Sequence, residues 1–224
     1  MNTWLGLVNH SALLPSLAMQ QLFHAVIWLA VLSWLGVQCL PSYDRRWRWV
    51  MCSIAALLVL LMWQSVLPSL GLVFQTPSLM TLCACLAVAW GDIKGPSSRL
   101  FGSHDQARLS PGLWLVVVLV GWCLSLDAFG WLPWDVYSMG FEPRLLWLAW
   151  GVLGLWMATA YLLPLPDGHA KAATCCLLAT GLFVVTQAPS GNVWDAWLDP
   201  GLWLFAHYQW IRHGGFHRTR INHS

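Results

Sequence analysis

The chain has 224 residues, of which 58% are hydrophobic and only 9% charged, with a net charge of +2. Soluble domains carry about 25% charged residues, and their helices break apolar runs with a polar stripe, so a monomer dissolved in water is excluded. Apolar runs of roughly 18 to 20 residues, the length that crosses a bilayer as helix, recur along the sequence and predict an all-α integral membrane protein.

Residues 1–21 hold Trp4, Leu5, Leu7, Leu13, Leu14 and Leu17, interrupted by Pro15. That run is too short to span and suits a segment lying on the outer interface. A first helix is expected over Leu22–Leu40. No Lys or Arg precedes Arg45, so the stretch lacks the basic region that opens a secretory signal and reads as a retained helix. The cluster Arg45, Arg46 and Arg48 then belongs in the cytoplasm by the positive-inside rule, which leaves the N-terminus outside.

The arginine loop leads into a second helix, Trp49–Leu67. Pro68-Ser69-Leu70-Gly71 makes an outer turn, and a third helix covers Leu72–Trp90. Residues 91–111, with Lys94, Arg99 and Arg108, form a long inner loop. Gly91-Asp92-Ile93-Lys94 resembles the Gly-Asp-x-Lys of prepilin peptidases over four residues. Those proteases need a second aspartate motif on the same face, and none follows, so the family is rejected. A fourth helix spans Gly112–Trp131, and the outer loop 132–143 holds Trp134, Asp135, Tyr137, Phe141 and Glu142. A fifth runs over Arg144–Leu163, and Pro164 to His169 turns on the inner side into a sixth, Lys171–Ala188.

The seventh segment, Gly191–Arg212, carries the densest polar chemistry. Asn192 is a candidate N-cap with Asp195 three residues on, close to a capping box. Asp195 and Asp199 are four apart and would share a helix face. Asp199-Pro200 invites a kink, or a fresh start with Asp199 as cap and Pro200 as first residue. The domain plan is an interfacial segment 1–21, one bundle of about seven transmembrane helices over 22–212, and a basic cytoplasmic tail 213–224. A bundle of six follows if the seventh segment is re-entrant or interfacial. Ten of the eleven basic residues fall on the inner side of this plan and five of the nine acidic residues on the outer. That asymmetry places the C-terminus in the cytoplasm, in a bacterial inner membrane.

Most of the eighteen tryptophans fall at the predicted interfaces, where an apolar ring with one N–H donor is favoured. Gly121-x-x-x-Ser125 and Gly154-x-x-x-Ala158 permit close helix packing. The seven cysteines lie within helices or at their inner ends and read as small buried apolar residues. His24 at roughly 3 Å depth and His207 at roughly 20 Å cannot flank one haem iron. No metal site and no cofactor is expected, and the basic inner patches suit anionic headgroups of the lipid bilayer, not nucleic acid.

With no phosphate loop, nucleophile elbow or dinucleotide fingerprint present, the expected function is a non-enzymatic subunit or assembly factor with membrane-protein partners. A small-solute or ion permease with an outward acidic cavity is the first alternative. A membrane enzyme using outer carboxylates on a lipid-linked or saccharide substrate is the second. The candidate binding residues all lie near outer helix ends: His24, Gln64, Asp127, Arg144, Gln187, Asp195 and Asp199. They are expected to converge on one polar cavity with Asp127 or Asp195 paired to Arg144, because charges within membranes face the interior and find partners.

Overall fold

A computed structural model describes residues 15–38, 75–94, 111–163 and 167–214, together with Trp47, Val50, Ser53, Ile54, Ala56, Leu57, Leu61 and Ser69. Every element among these residues is helical: α1 (Leu17–Gln38), α2 (Leu79–Lys94), α3 (Pro111–Ala128), α4 (Val136–Met139), α5 (Pro143–Leu162), α6 (Asp167–Thr186), α7 (Val193–Trp197) and α8 (Pro200–Gly214). Three stretches, Leu17–Leu35, Pro143–Leu162 and Gly168–Thr186, are long and apolar enough to cross a membrane, and Gly112–Ala128 is a shorter apolar helix. The interfacial segment before residue 15, most of the second predicted helix, the inner loop 95–110 and the tail from 215 lie outside the described residues.

Helix boundaries follow local chemistry more closely than apolar length. α1 begins at Leu17, five residues before the expected start, because Ser16 accepts from Met19 N–H at 3.3 Å through Oγ and from Gln20 N–H at 2.9 Å through its carbonyl. The five residues absorbed into α1, Leu-Ala-Met-Gln-Gln, are all strong helix formers. α2 starts later than expected. Pro77 holds Thr76 out of helical conformation, and Ser78 Oγ then accepts from Thr81 N–H at 3.1 Å as an N-cap. α3 stops at Ala128, since Gly130 takes φ +69° and closes the helix with two bonds. Trp131 N–H donates to the Leu126 carbonyl at 3.0 Å and Gly130 N–H to that of Asp127 at 2.8 Å, a Schellman ending.

The seventh predicted segment is two helices, not one. Asn192 Oδ1 accepts from Trp194 N–H at 2.9 Å and starts α7, as a capping residue should. Asp195 does not complete the box; Asn192 N–H turns instead to Ser190 Oγ at 3.2 Å. Leu198 has extended backbone, and α8 restarts with Asp199 capping and Pro200 in first position. Asp195 and Asp199 therefore sit on different helices and share no face.

Helix α6 lies at the centre, packed against α5, α2 and α7, while α1 packs on α2 and α8 on α3. The main core joins Ile27 of α1, Leu79, Leu82 and Cys83 of α2, Cys175, Ala179 and Phe183 of α6, and Val193 and Ala196 of α7. α7 is thus an insertion into the top of the bundle. Small side chains mark the helix contacts: Ala25, Ala149, Ala160, Ala172, Ala173 and Ala206 are buried, whereas Leu148, Val152, Leu155, Leu162, Val185 and Leu204 face outward. Small residues at helix contacts, beside the larger side chains of the core, allow the close backbone approach by which helices associate within lipid.

At the α3–α8 contact, Gly121 is buried and a Cβ there would land on the Trp203 indole. Trp203 Nε1–H in turn donates to the Val118 carbonyl at 3.1 Å. Gly154 has nothing within 4 Å of the same construction, so of the two small-residue motifs only the first is packed against another described helix.

Candidate functional site

The polar side chains around the starts of α1, α2, α4, α7 and α8 separate into two networks. The deeper one is built on Asp199, which is 8% exposed. Its Oδ2 accepts from Ser78 N–H at 2.8 Å, Ser78 Oγ–H at 2.7 Å and Thr81 Oγ1–H at 2.5 Å. Its Oδ1 accepts from Leu202 N–H at 2.8 Å. One carboxylate thereby caps two helices, α8 from its own chain position and α2 from across the bundle. The N-terminal ends of both helices carry positive partial charge toward it. His24 joins the margin of this network, with Nδ1 2.9 Å from Thr76 Oγ1. His24 lies seven residues into α1, so the network sits roughly 10 Å below the start of that helix.

The second network ties the 136–140 turn to the 190–195 segment. Tyr137 is its hub: its N–H donates to Asp127 Oδ2 at 2.7 Å, its hydroxyl to Asp195 Oδ2 at 2.8 Å, and its carbonyl accepts from Asn192 Nδ2 at 3.0 Å. Trp194 Nε1–H donates to the Val136 carbonyl at 3.0 Å, Val193 N–H to that of Gly140 at 3.1 Å, and Ser190 Oγ–H to Asp195. Asn192 is fully buried, and four of these bonds fix the α7 segment against the turn, while Tyr137 N–H ties the turn to α3. The Tyr137 hydroxyl is pushed up from 10.0 to about 12, first by burial and then by its bond to, and the charge of, Asp195.

Beside the second network lies an open depression of about 610 Å³ between the end of α3 and the 130–137 loop, lined by Asp127, Asp135, Trp134, Tyr137, Leu132 and Pro133 among others. Asp135 Oδ1 caps α4 through Ser138 N–H at 2.9 Å. The loop presents Phe129, Trp131, Trp134, Tyr137, Met139 and Phe141 outward.

Of the residues expected to converge, the structure joins Asp127 with Asp195 through Tyr137, and His24 with Asp199 through the 76–81 segment. It does not bring all of them to one cavity. Asp199 is spent as a double cap, and only Asp127 of the set lines the depression. Arg144 is exposed and pairs with no acid among the described residues. A first-turn arginine on α5 points away from the bundle, since it is α5's Ala149, Leu153 and Ala160 that are buried. Gln187 has φ +54° and serves the turn, its carbonyl accepting from Gly191 N–H at 2.8 Å. Gln64 lies outside the described residues.

Sequence reasoning missed Tyr137, Ser78, Thr81, Ser190 and Asp135. Ser78 was accessible from Pro77-Ser78 ahead of an apolar run, a helix-start signature. Asp135 likewise stands three before Ser138 in a short polar turn. Tyr137 and Ser190 carry no local signal, because their partners are 58 and 5 residues away and depend on how α7 docks.

No group of three or more His, Cys, Asp or Glu among the described residues is placed to hold a metal ion. His207 is engaged on both ring nitrogens: Nδ1 lies 2.9 Å from the Trp203 carbonyl and Nε2 accepts from Trp122 Nε1–H at 3.1 Å. The described cysteines, Cys83, Cys85, Cys123, Cys175 and Cys176, are free thiols. No protein-family model, curated protein or solved structure matches the chain.

Proposed function

We propose that the chain is a multi-pass subunit or assembly factor of a bacterial inner-membrane complex, without catalytic activity of its own. The supporting observation is the use made of the carboxylates. Asp199 and Asp195 accept four and two hydrogen bonds from within the fold, and both act to hold α7 and α8 in place. A general acid or base needs a proton-accepting oxygen within reach of substrate; here both oxygens of Asp199 and Oδ2 of Asp195 are occupied by structural donors. What the fold leaves at its surface is an aromatic loop on a fixed base, the kind of feature that docks.

The orientation belongs to the same proposal. The arginine cluster at 45–48 and the basic tail are placed in the cytoplasm, the 129–142 loop outside. α7 and α8 together make one interrupted crossing, with α8 spanning about 22 Å at 1.5 Å per residue from a start already below the top of α1. The chain then crosses seven times.

Purification from native membranes in mild detergent tests the function. A second polypeptide held at constant stoichiometry through two unrelated separation steps is the expected result. A monodisperse chain that transports or transforms a defined solute alone in proteoliposomes would overturn it.

A further inference from the structure

Asp199 has both carboxylate oxygens filled by donors of the fold, but the two carboxylates in the depression do not. Asp127 Oδ2 accepts from Tyr137 N–H and Asp135 Oδ1 from Ser138 N–H, so each carboxylate is fixed by one oxygen. The second oxygen of each has no donor among the described residues, and no cationic side chain lines the depression. Two oriented, un-neutralised carboxylates thus share a hollow with two aromatic rings: Trp134, 62% exposed, and Tyr137, 39% exposed. Leu132 and Pro133 add apolar wall.

We propose that this depression binds an organic cation, an ammonium or guanidinium group on a short apolar stem. The pairing follows from what each part of the hollow can do. A carboxylate oxygen takes the N–H donors, doubly so for a planar guanidinium. The negative faces of indole and phenol attract the positive charge and cover the stem. A metal ion finds no such match, since two carboxylates with aromatic neighbours fall short of the six or more oxygens a hard cation takes. An anion is repelled by both aspartates. The volume of about 610 Å³ is within the range of small-ligand clefts and admits a single side chain or a small amine.

The site goes beyond the subunit reading and extends it in one respect: the same chemistry serves a Lys or Arg of a docking partner or a free amine. Calorimetric titration of the purified full chain with Nα-acetyl-arginine amide, beside its uncharged citrulline counterpart, tests the site. Saturable binding of the arginine probe and none of the citrulline one is expected. Asp135→Asn and Trp134→Ala should each weaken it roughly threefold to tenfold, the scale of exposed ion-pair and cation–π contacts. Asparagine still caps α4, so the loss reports charge and not an unfolded turn. Equal binding of the two probes, no saturable binding, or undiminished binding by the Asp127→Asn, Asp135→Asn double variant overturns the proposal. Release of a co-purifying partner by excess arginine probe, and its loss from the double variant, identifies the cation as the partner's side chain. A partner retained while probe binding disappears identifies a free amine. Probe binding by a chain that brings no second polypeptide out of native membranes defeats the subunit reading and leaves the site standing.

Discussion

At the scale of single residues, the closest fit among the described glycines is Gly140 against Asn192. A Cβ on Gly140 would land on Asn192 Oδ1 and the Trp194 ring, and Asn192 is fully buried with its oxygen committed to the α7 cap. Gly140→Ala should therefore cost about 1–3 kcal/mol, the range for overpacking a filled site, read as a lower melting temperature in detergent. Gly154→Ala, with open space around the new carbon, should leave stability level or raise it by up to about 1 kcal/mol through helix propensity. The Tyr137 hydroxyl adds a pH dependence. Its folded value, about 12, lies above the unfolded 10.0, so the stabilising bond to Asp195 is whole below pH 10.0 and is lost as pH rises toward about 12. Melting curves across that window should fall more steeply for the wild type than for Tyr137→Phe; parallel curves would show that the Tyr137–Asp195 bond contributes nothing to stability.

Among elements, the break at Leu198–Asp199 organises the rest. Asp199-Pro200 announced a helix start, and Asn192 announced another, because capping is chemistry between neighbours and is written locally. That Asp199 also caps α2 was not legible, since Ser78 lies 121 residues away. The described residues of the expected cavity separate into two networks for the same reason: depth along each helix is readable from the sequence, but the direction in which each side chain points depends on packing. Asp199→Ala would remove the acceptor of the buried Ser78 N–H, of Leu202 N–H at the start of α8, and of the Ser78 and Thr81 hydroxyls. An unmet buried donor costs about 1–3 kcal/mol, so a loss of that size is expected, with α2 and α8 both losing amide-exchange protection. Protection lost from α8 alone would show that the contact across the bundle is dispensable.

For the whole molecule, the membrane class was legible from composition and run length, and the three long apolar helices agree with it. The packing adds a feature that composition could not supply, alanines at the helix contacts beside a core of Ile27, Leu79, Leu82 and Phe183, with other leucines such as Leu148, Leu155 and Leu204 outward. The number of crossings rests on the interrupted α7–α8 unit, because α8 of 15 residues is short for a bilayer core of about 30 Å unless it starts below the surface, as its contact with α2 requires. The proposed placement of the chain's C-terminal end opposite the aromatic loop depends on α8 carrying the chain through. The most direct measurement is a pair of topology reporters, one inserted at Met139 and one fused after Ser224. An external signal at Met139 with a cytoplasmic one at Ser224 is the expected result; both signals on the same side would show that the segment from Asn192 onward turns back without crossing.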